Sequence, residues 1–162
     1  MRNSGFTLIE VLIVIAIFAL IILVAAPLSG QWVTDANRLE AEGQLSQAMG
    51  RAKAAALRNY MAATGDTPVT AICLADDNIL TVLEGAPGTP SPTSPDCNSA
   101  TGTQLWRAKL HPKIVVQLNS EAFSCVYFNN KGTPIKDCDS TLIEPPEFTL
   151  TAGGETESVA LY

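Results

Sequence analysis

The chain has 162 residues, of which 47% are apolar and 16% are charged, and its formal net charge is −6. A chain of this length suits one domain, which can bury a core without depending on metal ions or disulfides. The acidic balance argues against a protein that holds nucleic acid by bulk charge, and the single histidine argues against a histidine-rich metal site.

The first predicted element is a long apolar segment near the N-terminus. No charged residue occurs from Val11 to Leu28, a run of eighteen residues, and a helix of about 20 apolar residues spans a bilayer. Before Phe6 only Arg2 and the terminal amine carry charge, which predicts a cytoplasmic N-terminus and an exported remainder. An ordinary cleavable signal is disfavoured, because the apolar run is too long and helix-forming residues follow it.

Glu10 lies at the edge of this apolar segment, one helical turn after Phe6. A carboxylate that faces lipid is costly, so an acidic residue at this place is a functional hypothesis by default. A plain interfacial position, in which the carboxylate reaches water, is the alternative that the residues alone leave open.

The segment SGFTLIE at residues 4–10, followed by the apolar run, resembles the class III signal of type IV pilins and type II secretion pseudopilins. The resemblance implies that residues 1–5 are a leader, which a prepilin peptidase removes by cleavage after Gly5 on the cytoplasmic side. It also implies N-methylation of Phe6 and retention of the apolar helix in the mature chain.

Glu10 then acquires a predicted role in filament assembly. After cleavage Phe6 carries a cationic amine, which the Glu10 carboxylate of the same or an adjacent subunit can neutralise. Since an unpaired buried charge costs several kcal/mol, this pairing would also set the stagger between subunits.

Pro27 is the second predicted assembly residue. An internal proline removes a helix hydrogen bond, which predicts a kink near the membrane exit. The resemblance offers another interpretation, because pilin helices unwind near this position when they pack into a fibre. The sequence leaves both interpretations open.

Residues 6–30 are therefore predicted to form the transmembrane and filament-core helix, and residues 31–60 an amphipathic helix of the globular domain. Helical spacing predicts one apolar stripe that consists of Trp32, Ala36, Leu39, Leu45, Met49, Ala52, Ala56 and Tyr60.

Polar residues and glycines of the same helix give two further expectations. Asp35, Arg38 and Glu42 share another face, where local ion pairs are expected. Gly43 and Gly50 each lower helix stability by about 1 kcal/mol relative to alanine. Either a sheet packs closely against them and compensates for this cost, or the helix simply tolerates it.

Two short motifs refine the resemblance. The sequence LSQAMGRAKAAALRN at residues 45–59 is similar to the helix end of the GspH/FimT/FimU class of minor pilins. The sequence FNNKG at residues 128–132 resembles a step in the sheet of that class.

The exported part, residues 61–162, is predicted to consist of strands and loops. The predicted strands are Val69–Leu74, Ile79–Leu83, Leu105–Leu110, Ile114–Leu118, Ala122–Phe128, Phe148–Thr151 and Val159–Tyr162. Residues 85–104 contain four prolines and are predicted to be loop, and Gly153-Gly154 suggests a final hairpin. A helix followed by strands predicts an α+β fold, with the long N-terminal helix packed on an antiparallel β-sheet as in type IV pilins.

All four cysteines lie in the exported part, where an even number favours disulfides. If residues 131–132 form a two-residue hairpin loop, Cys125 and Cys138 lie opposite each other as a non-hydrogen-bonded pair, whose close spacing suits a disulfide. The pair Cys73–Cys97 then follows by exclusion.

The sequence contains no catalytic motif, no phosphate-binding glycine loop and no cysteine–histidine signature. No enzyme activity, cofactor or metal site is therefore predicted. His111 is interpreted as a surface residue. Asp76-Asp77 and Asp137/Asp139 do not resemble an EF-hand loop and are interpreted as solvated turns.

DNA binding during uptake is the functional alternative of a different class, because some minor pilins of this kind bind DNA through a basic C-terminal region. Here Arg107, Lys109 and Lys113 form only a local basic cluster, and the last eleven residues, AGGETESVALY, contain no lysine or arginine. Nucleic acid is therefore not an expected partner.

The predicted function is that of a minor type IV pilus subunit that primes or caps filament assembly. The H-type minor pseudopilin of a type II secretion system is the neighbouring alternative. Other minor pilins, the major pilin, the prepilin peptidase and the inner-membrane assembly platform are the expected partners. The expected location is the bacterial inner membrane, with a single pass and a periplasmic globular domain, until the subunit enters a fibre.

Overall fold

The computed structural model of the chain describes residues 7–88, 91–99, 101–138 and 147–159. Gly5 and Phe6, the predicted cleavage and methylation residues, lie outside these ranges. By its internal contacts the chain divides into two compact units, Met1–Ala36 and Asn37–Tyr162.

The helix α1 runs Leu8–Arg58. In the first unit its apolar side chains from Leu8 to Val24 are exposed, and the backbone stays helical at Pro27. Unwinding at Pro27 remains a prediction for the assembled fibre. Within the described residues, no helix combines the length and the apolar character that a membrane crossing requires.

In the second unit, α1 buries a face of mostly small residues. The buried apolar positions are Ala41, Leu45, Ala48, Met49, Ala52, Ala55 and Ala56, and spacings of three and four residues place such positions on one helix face. Alanine side chains let a strand approach the helix closely. The Thr70 hydroxyl accordingly donates a hydrogen bond to the backbone carbonyl of Ala52, with 3.1 Å between the oxygens.

The predicted apolar stripe of α1 is partly wrong. It is confirmed at Leu45, Met49, Ala52 and Ala56, whereas four positions are exposed: Trp32, Ala36, Leu39 and Tyr60. Tyr60 follows the end of α1, so helical spacing no longer applies to it. Towards the N-terminus, the buried face of α1 begins only at Ala41, a residue that the predicted stripe does not include.

The expected ion pairs along α1 are also replaced by a different contact. Arg38 forms an ion pair with Glu157 in the last strand, rather than with Asp35 or Glu42. The Arg38 side chain is only 21% exposed, because it lies against that strand. The pair therefore connects α1 to a segment that is distant in sequence.

Two antiparallel sheets follow α1 in the described part of the chain. Their strands are β1 Thr70–Leu74, β2 Ile79–Glu84, β3 Thr103–Lys109, β4 Ile114–Leu118, β5 Glu121–Ala122, β6 Cys125–Phe128, β7 Pro134–Asp137, β8 Phe148–Ala152 and β9 Glu155–Val159. The first sheet has the order β3-β2-β1-β6-β7, and the second has the order β5-β4-β8-β9. The predicted α+β fold, an N-terminal helix packed on antiparallel sheet, is thus confirmed.

The predicted strand Ala122–Phe128 is in fact two strands in two sheets. β5 pairs with β4, whereas β6 pairs with β1. Between them Phe123 is buried, and its ring meets that of Phe148 edge to face with 5.3 Å between the centroids. The chain passes from the second sheet to the first at Phe123. Because Phe123 is itself apolar, the sequence pattern does not reveal this change of sheet.

The final hairpin is present, but its second strand begins earlier than predicted. Ala152 pairs with Glu155 across Gly153-Gly154, and both glycines have positive φ, 60° and 92°. Two successive residues with positive φ are typical of the type I′ hairpin turn. β9 therefore starts directly after the turn and reaches Val159, the first residue of the predicted strand.

One core joins α1 to both sheets. Side chains of the helix face pack with Ile72, Val82 and Phe128 of the first sheet and with Val116 and Leu150 of the second. Successive residues of these strands point alternately to this core and to the opposite face, and in β1 and β6 the residues of both faces are buried except Leu74, which is half-buried.

Gly43 and Gly50 are predicted to be positions at which alanine would stabilise the protein, because no neighbouring element of the described chain packs against them. Both are exposed, and an added Cβ would meet no atom within 4 Å. We expect Gly43→Ala and Gly50→Ala each to raise the free energy of unfolding by about 1 kcal/mol, measured by urea denaturation of the full chain in detergent.

Gly132→Ala is the matched control, because Gly132 has a φ of 71°, which an L side chain rarely adopts. It should lower stability. A loss of stability in the Gly43 and Gly50 variants would show that these positions need a bare backbone.

Candidate functional site

The N-terminus of α1 is capped by reciprocal hydrogen bonds between Thr7 and Glu10. The Thr7 N–H and the Thr7 hydroxyl both donate to Oε2 of Glu10, at 2.8 and 2.7 Å. The Glu10 N–H points back to Thr7, with 3.1 Å to its carbonyl and 3.4 Å to its hydroxyl oxygen. This arrangement is a capping box, in which Thr7 is the N-cap and Glu10 occupies the third helical position.

The capping box places the Glu10 carboxylate at the start of the helix. Oε2 is occupied by Thr7, whereas Oε1 has no donor among the described residues. A helix N-terminus carries partial positive charge that favours an anion. Glu10 therefore has a local structural role that sequence reasoning missed, although Thr-x-x-Glu before an apolar run signals it.

The C-terminal end of α1 is anchored to the first sheet by an ion pair. Arg58 Nη2 lies 2.8 and 2.9 Å from the two carboxylate oxygens of Glu84. Glu84 is buried, with 4% of its surface exposed, whereas the Arg58 side chain is largely in solvent. The hydrogen bond and the charge of Glu84 raise the pKa of Arg58 above its ordinary value.

Asn59 ends the helix in a left-handed conformation, with a φ of 46°, which asparagine tolerates better than most residues. Its side-chain amide donates to the Ala63 carbonyl and accepts from the Ala63 N–H, both at 2.9 Å. Asn130 Nδ2 reaches the same carbonyl at 2.8 Å. The Arg-Asn at the helix end and the FNNKG segment thus meet at one junction.

The β6–β7 turn is longer than the predicted two-residue loop. Asn129 donates its N–H to the Thr133 carbonyl, and Gly132 donates to the Asn129 carbonyl, both at 3.0 Å. With Gly132 at a φ of 71°, residues 130–132 form a three-residue loop. The extra residue shifts the pairing of the two strands by one position.

A β-bulge then reverses this shift. Phe128 pairs with Pro134, but Tyr127 pairs with Lys136, so Ile135 is an additional residue on the edge strand β7. From there to the cysteines the register is the one that a two-residue loop would produce. The predicted register is confirmed at the cysteines, and the predicted turn is wrong.

Both predicted disulfides are present. Cys73–Cys97 and Cys125–Cys138 have Cα–Cα distances of 5.5 and 5.4 Å, within the range of disulfides. The second distance exceeds the ~4.5 Å of a non-hydrogen-bonded pair, so this part of the expected geometry is wrong. Cys73 and Cys125 are direct neighbours across β1 and β6.

The two disulfides lie on the outward face of the first sheet, opposite the face that packs on α1. A separate cluster covers this face: Ala71, Cys73, Leu83, Cys125 and Tyr127, with Cys97, Ile135 and Cys138 packed against it. The Cys97 N–H donates to the Tyr127 hydroxyl at 3.4 Å. The Cys73–Cys97 bond therefore holds the proline-rich segment against the sheet.

The basic cluster, His111 and Asp76-Asp77 are exposed, whereas Asp137 lies in the strand β7 rather than in the predicted turn. Arg107, Lys109, His111 and Lys113 all face solvent at or after β3. Asp76 and Asp77 lie in the exposed turn between β1 and β2. No group of three or more potential metal ligands occurs among the described residues, and Asp139 lies outside them.

Comparison with known proteins yields one finding. Residues 1–26 match the family model described as the prokaryotic N-terminal methylation motif. The matched range contains Gly5, Phe6 and Glu10. No curated protein and no solved structure matches the chain.

The Arg58–Glu84 pair is predicted to matter because one partner is buried. We expect Arg58→Leu to lower the stability of the full chain in urea denaturation, since Glu84 would keep a buried charge without its cation. The double variant Arg58→Leu/Glu84→Gln should be more stable than Arg58→Leu alone, because an amide needs no counter-ion.

Arg51→Leu removes an exposed arginine from the same helix and serves as the control for this pair. Equal effects of Arg51→Leu and Arg58→Leu would show that the contact with Glu84 contributes nothing to stability.

The capping box predicts a distinct effect of Thr7. Thr7→Val keeps the side-chain shape but removes the hydroxyl, and loss of an N-cap costs about 1 kcal/mol of helix stability. We expect faster amide hydrogen exchange in the first turn of α1, measured by NMR in detergent micelles. Thr7→Ser should retain the protection, and equal protection in the two variants would contradict the hydroxyl's role.

Proposed function

We propose that this protein is a type IV pilin-like subunit, and specifically a minor subunit that primes or caps a type IV pilus together with other minor pilins. The observation that carries the proposal is the N-terminal methylation motif over residues 1–26. The α+β fold, in which α1 packs on antiparallel sheets, supports it.

The proposal begins with processing of the N-terminus. A prepilin peptidase cuts between Gly5 and Phe6 on the cytoplasmic side, and the new amine of Phe6 is methylated. Because cleavage precedes the apolar segment, the helix stays attached and provides a single pass through the inner membrane. The exposed apolar side chains from Leu8 to Val24 support this step, since neighbouring helices or lipid would cover them.

Glu10 then guides incorporation into the fibre. The capping box occupies Oε2 of its carboxylate, and Oε1 remains for a cation. The amine of Phe6, in the same or an adjacent subunit, supplies that cation. An unmatched charge is costly in apolar surroundings, so subunits in the wrong register are disfavoured.

The globular part is proposed to lie in the periplasm before assembly. Two disulfides fit an oxidising compartment. The junction of Arg58-Asn59 with the FNNKG segment supports the minor class that these motifs resemble, because one asparagine from each motif donates to the Ala63 carbonyl. In this role the protein contacts other minor pilins, the major pilin and the inner-membrane assembly platform.

The H-type minor pseudopilin of type II secretion is the neighbouring candidate, since the same N-terminal motif serves both systems. A DNA-binding minor pilin is the candidate of a different class, and the exposed Arg107, Lys109 and Lys113 are the observation that favours it. The net charge of −6 weighs against DNA as the ligand.

Glu10→Leu is the variant that tests the assembly role. We expect normal insertion into the membrane but poor entry into sheared filaments, because the amine of Phe6 would lose its counter-charge. Quantitative immunoblots of membranes and filaments provide the measurement, and mass spectrometry of the mature chain verifies an N-methylated Phe6. Normal incorporation of the variant would refute the role of Glu10.

Deletion of the gene distinguishes a pilus from a secretion system. We expect loss of twitching motility and of surface pili, with normal export of type II substrates, and recovery of both on expression of the wild-type chain. Lost secretion with normal twitching would instead assign the protein to the type II system.

A further inference from the structure

The strand β3 forms one free edge of the first sheet. In that sheet it pairs only with β2 among the described strands. A bulge at Leu105 interrupts this pairing, and from Trp106 to Lys109 the pairing with β2 is regular. An exposed regular edge can accept a further strand, because its unpaired backbone groups form a template.

The hydrogen-bonding pattern identifies the residues that face the free edge. Leu110 donates its N–H to the Asn78 carbonyl at 2.8 Å, and hydrogen-bonded pairs alternate along an antiparallel ladder. Ala108 and Trp106 are therefore also bonded to β2. By the same alternation, Arg107 and Lys109 direct their backbone N–H and C=O groups away from β2, and no other backbone bond to them occurs in the described part.

The same two residues carry exposed positive charge. Arg107 pairs with Thr81 and Lys109 with Ile79, so their side chains share the outward face of the sheet. Arg107, Lys109 and Lys113 are three of only five lysines and arginines after Tyr60, against twelve carboxylates. The free edge is therefore a local basic site on an acidic domain.

The other edges are less suited to accept a strand. β7 begins with Pro134, which lacks an N–H, and β5 has only two residues. β9 carries Glu157, which already contacts Arg38. Pairing of β3 with β3 of a second copy would oppose like charges, which destabilises a strand pair.

We propose that the edge Trp106–Lys109 of β3 binds an extended acidic strand of a partner protein. The backbone groups of Arg107 and Lys109 would add this strand to the sheet, as in known β-augmentation. Two carboxylates two residues apart on the incoming strand would meet the two cations on the outward face. The inference concerns this surface and does not depend on the role in a pilus.

The test uses the full chain in detergent micelles and a capped seven-residue peptide of alternating valine and glutamate. We expect NMR shift changes and slower amide exchange at Arg107 and Lys109. Two control peptides should leave these signals unchanged: one with lysine in place of each glutamate, and one in which the backbone nitrogen of the central glutamate is methylated, because the glutamates opposite Arg107 and Lys109 are the residues that must donate their N–H to the ladder.

R107E/K109E should weaken binding of the glutamate peptide by about tenfold. R51E/K131E makes the same change of charge at exposed residues away from this edge and should leave the affinity unchanged.

Three results would overturn the proposal. The first is that the glutamate peptide does not bind, which would show that these charges only protect the edge against aggregation. The second is equal binding of the N-methylated peptide, which would show that charge alone attracts it. The third is tighter binding of a single-stranded oligonucleotide at the same residues, which would identify a nucleic-acid surface.

Discussion

The alanine-rich face of α1 is the constraint on which the globular unit depends. Both sheets contribute side chains to the one core on this face. Because the helix side chains are short, Ile72, Phe128 and Leu150 provide much of the core volume. Close approach also brings the Thr70 hydroxyl within hydrogen-bonding distance of the helix backbone. A larger residue in the place of Ala52 would separate β1 from α1, and core packing is sensitive to a single added methylene.

At each end of this helix–sheet contact, an ion pair joins the helix to a strand. Arg58 holds the last turn of α1 to Glu84, and Arg38 connects the helix to β9 through Glu157. The two pairs differ in their physical character. Glu84 is buried and needs its cation, whereas Glu157 is half exposed, so that pair is worth little by itself.

Much of this fold could be predicted from local sequence signals. The order of helix and strands and the position of β4 follow from hydrophobic periodicity and turn residues. The crossing at Phe123 could not be predicted, because an apolar residue suits either sheet. Exposure of Trp32 and Leu39 could not be predicted either, since helical spacing identifies a face but not the place where a partner element begins.

The pairing of Cys125 with Cys138 is predicted correctly, although the turn from which it is predicted is wrong. A hairpin register depends on loop length and on bulges together. Here the three-residue loop and the bulge at Ile135 have opposite effects, so Cys125 still meets Cys138. Gly132 signals a turn residue with positive φ, but it does not reveal whether the loop has two residues or three.

Glu10 caps the helix in the structure, and charge pairing in assembly is its second, proposed role; the sequence signal alone does not separate the two. Its carboxylate satisfies the Thr7 N–H, and an unsatisfied N–H is costly wherever water is scarce. This capping role does not depend on the proposed cleavage after Gly5, because it involves only Thr7 and Glu10. In the proposed assembly, cleavage would add a cation next to the same carboxylate, where the helix dipole already favours an anion. Loss of Glu10 would therefore remove the cap and the proposed charge pair together, whereas loss of the Thr7 hydroxyl weakens the cap and leaves the charge. Thr7 is thus the residue at which helix capping and charge pairing can be told apart.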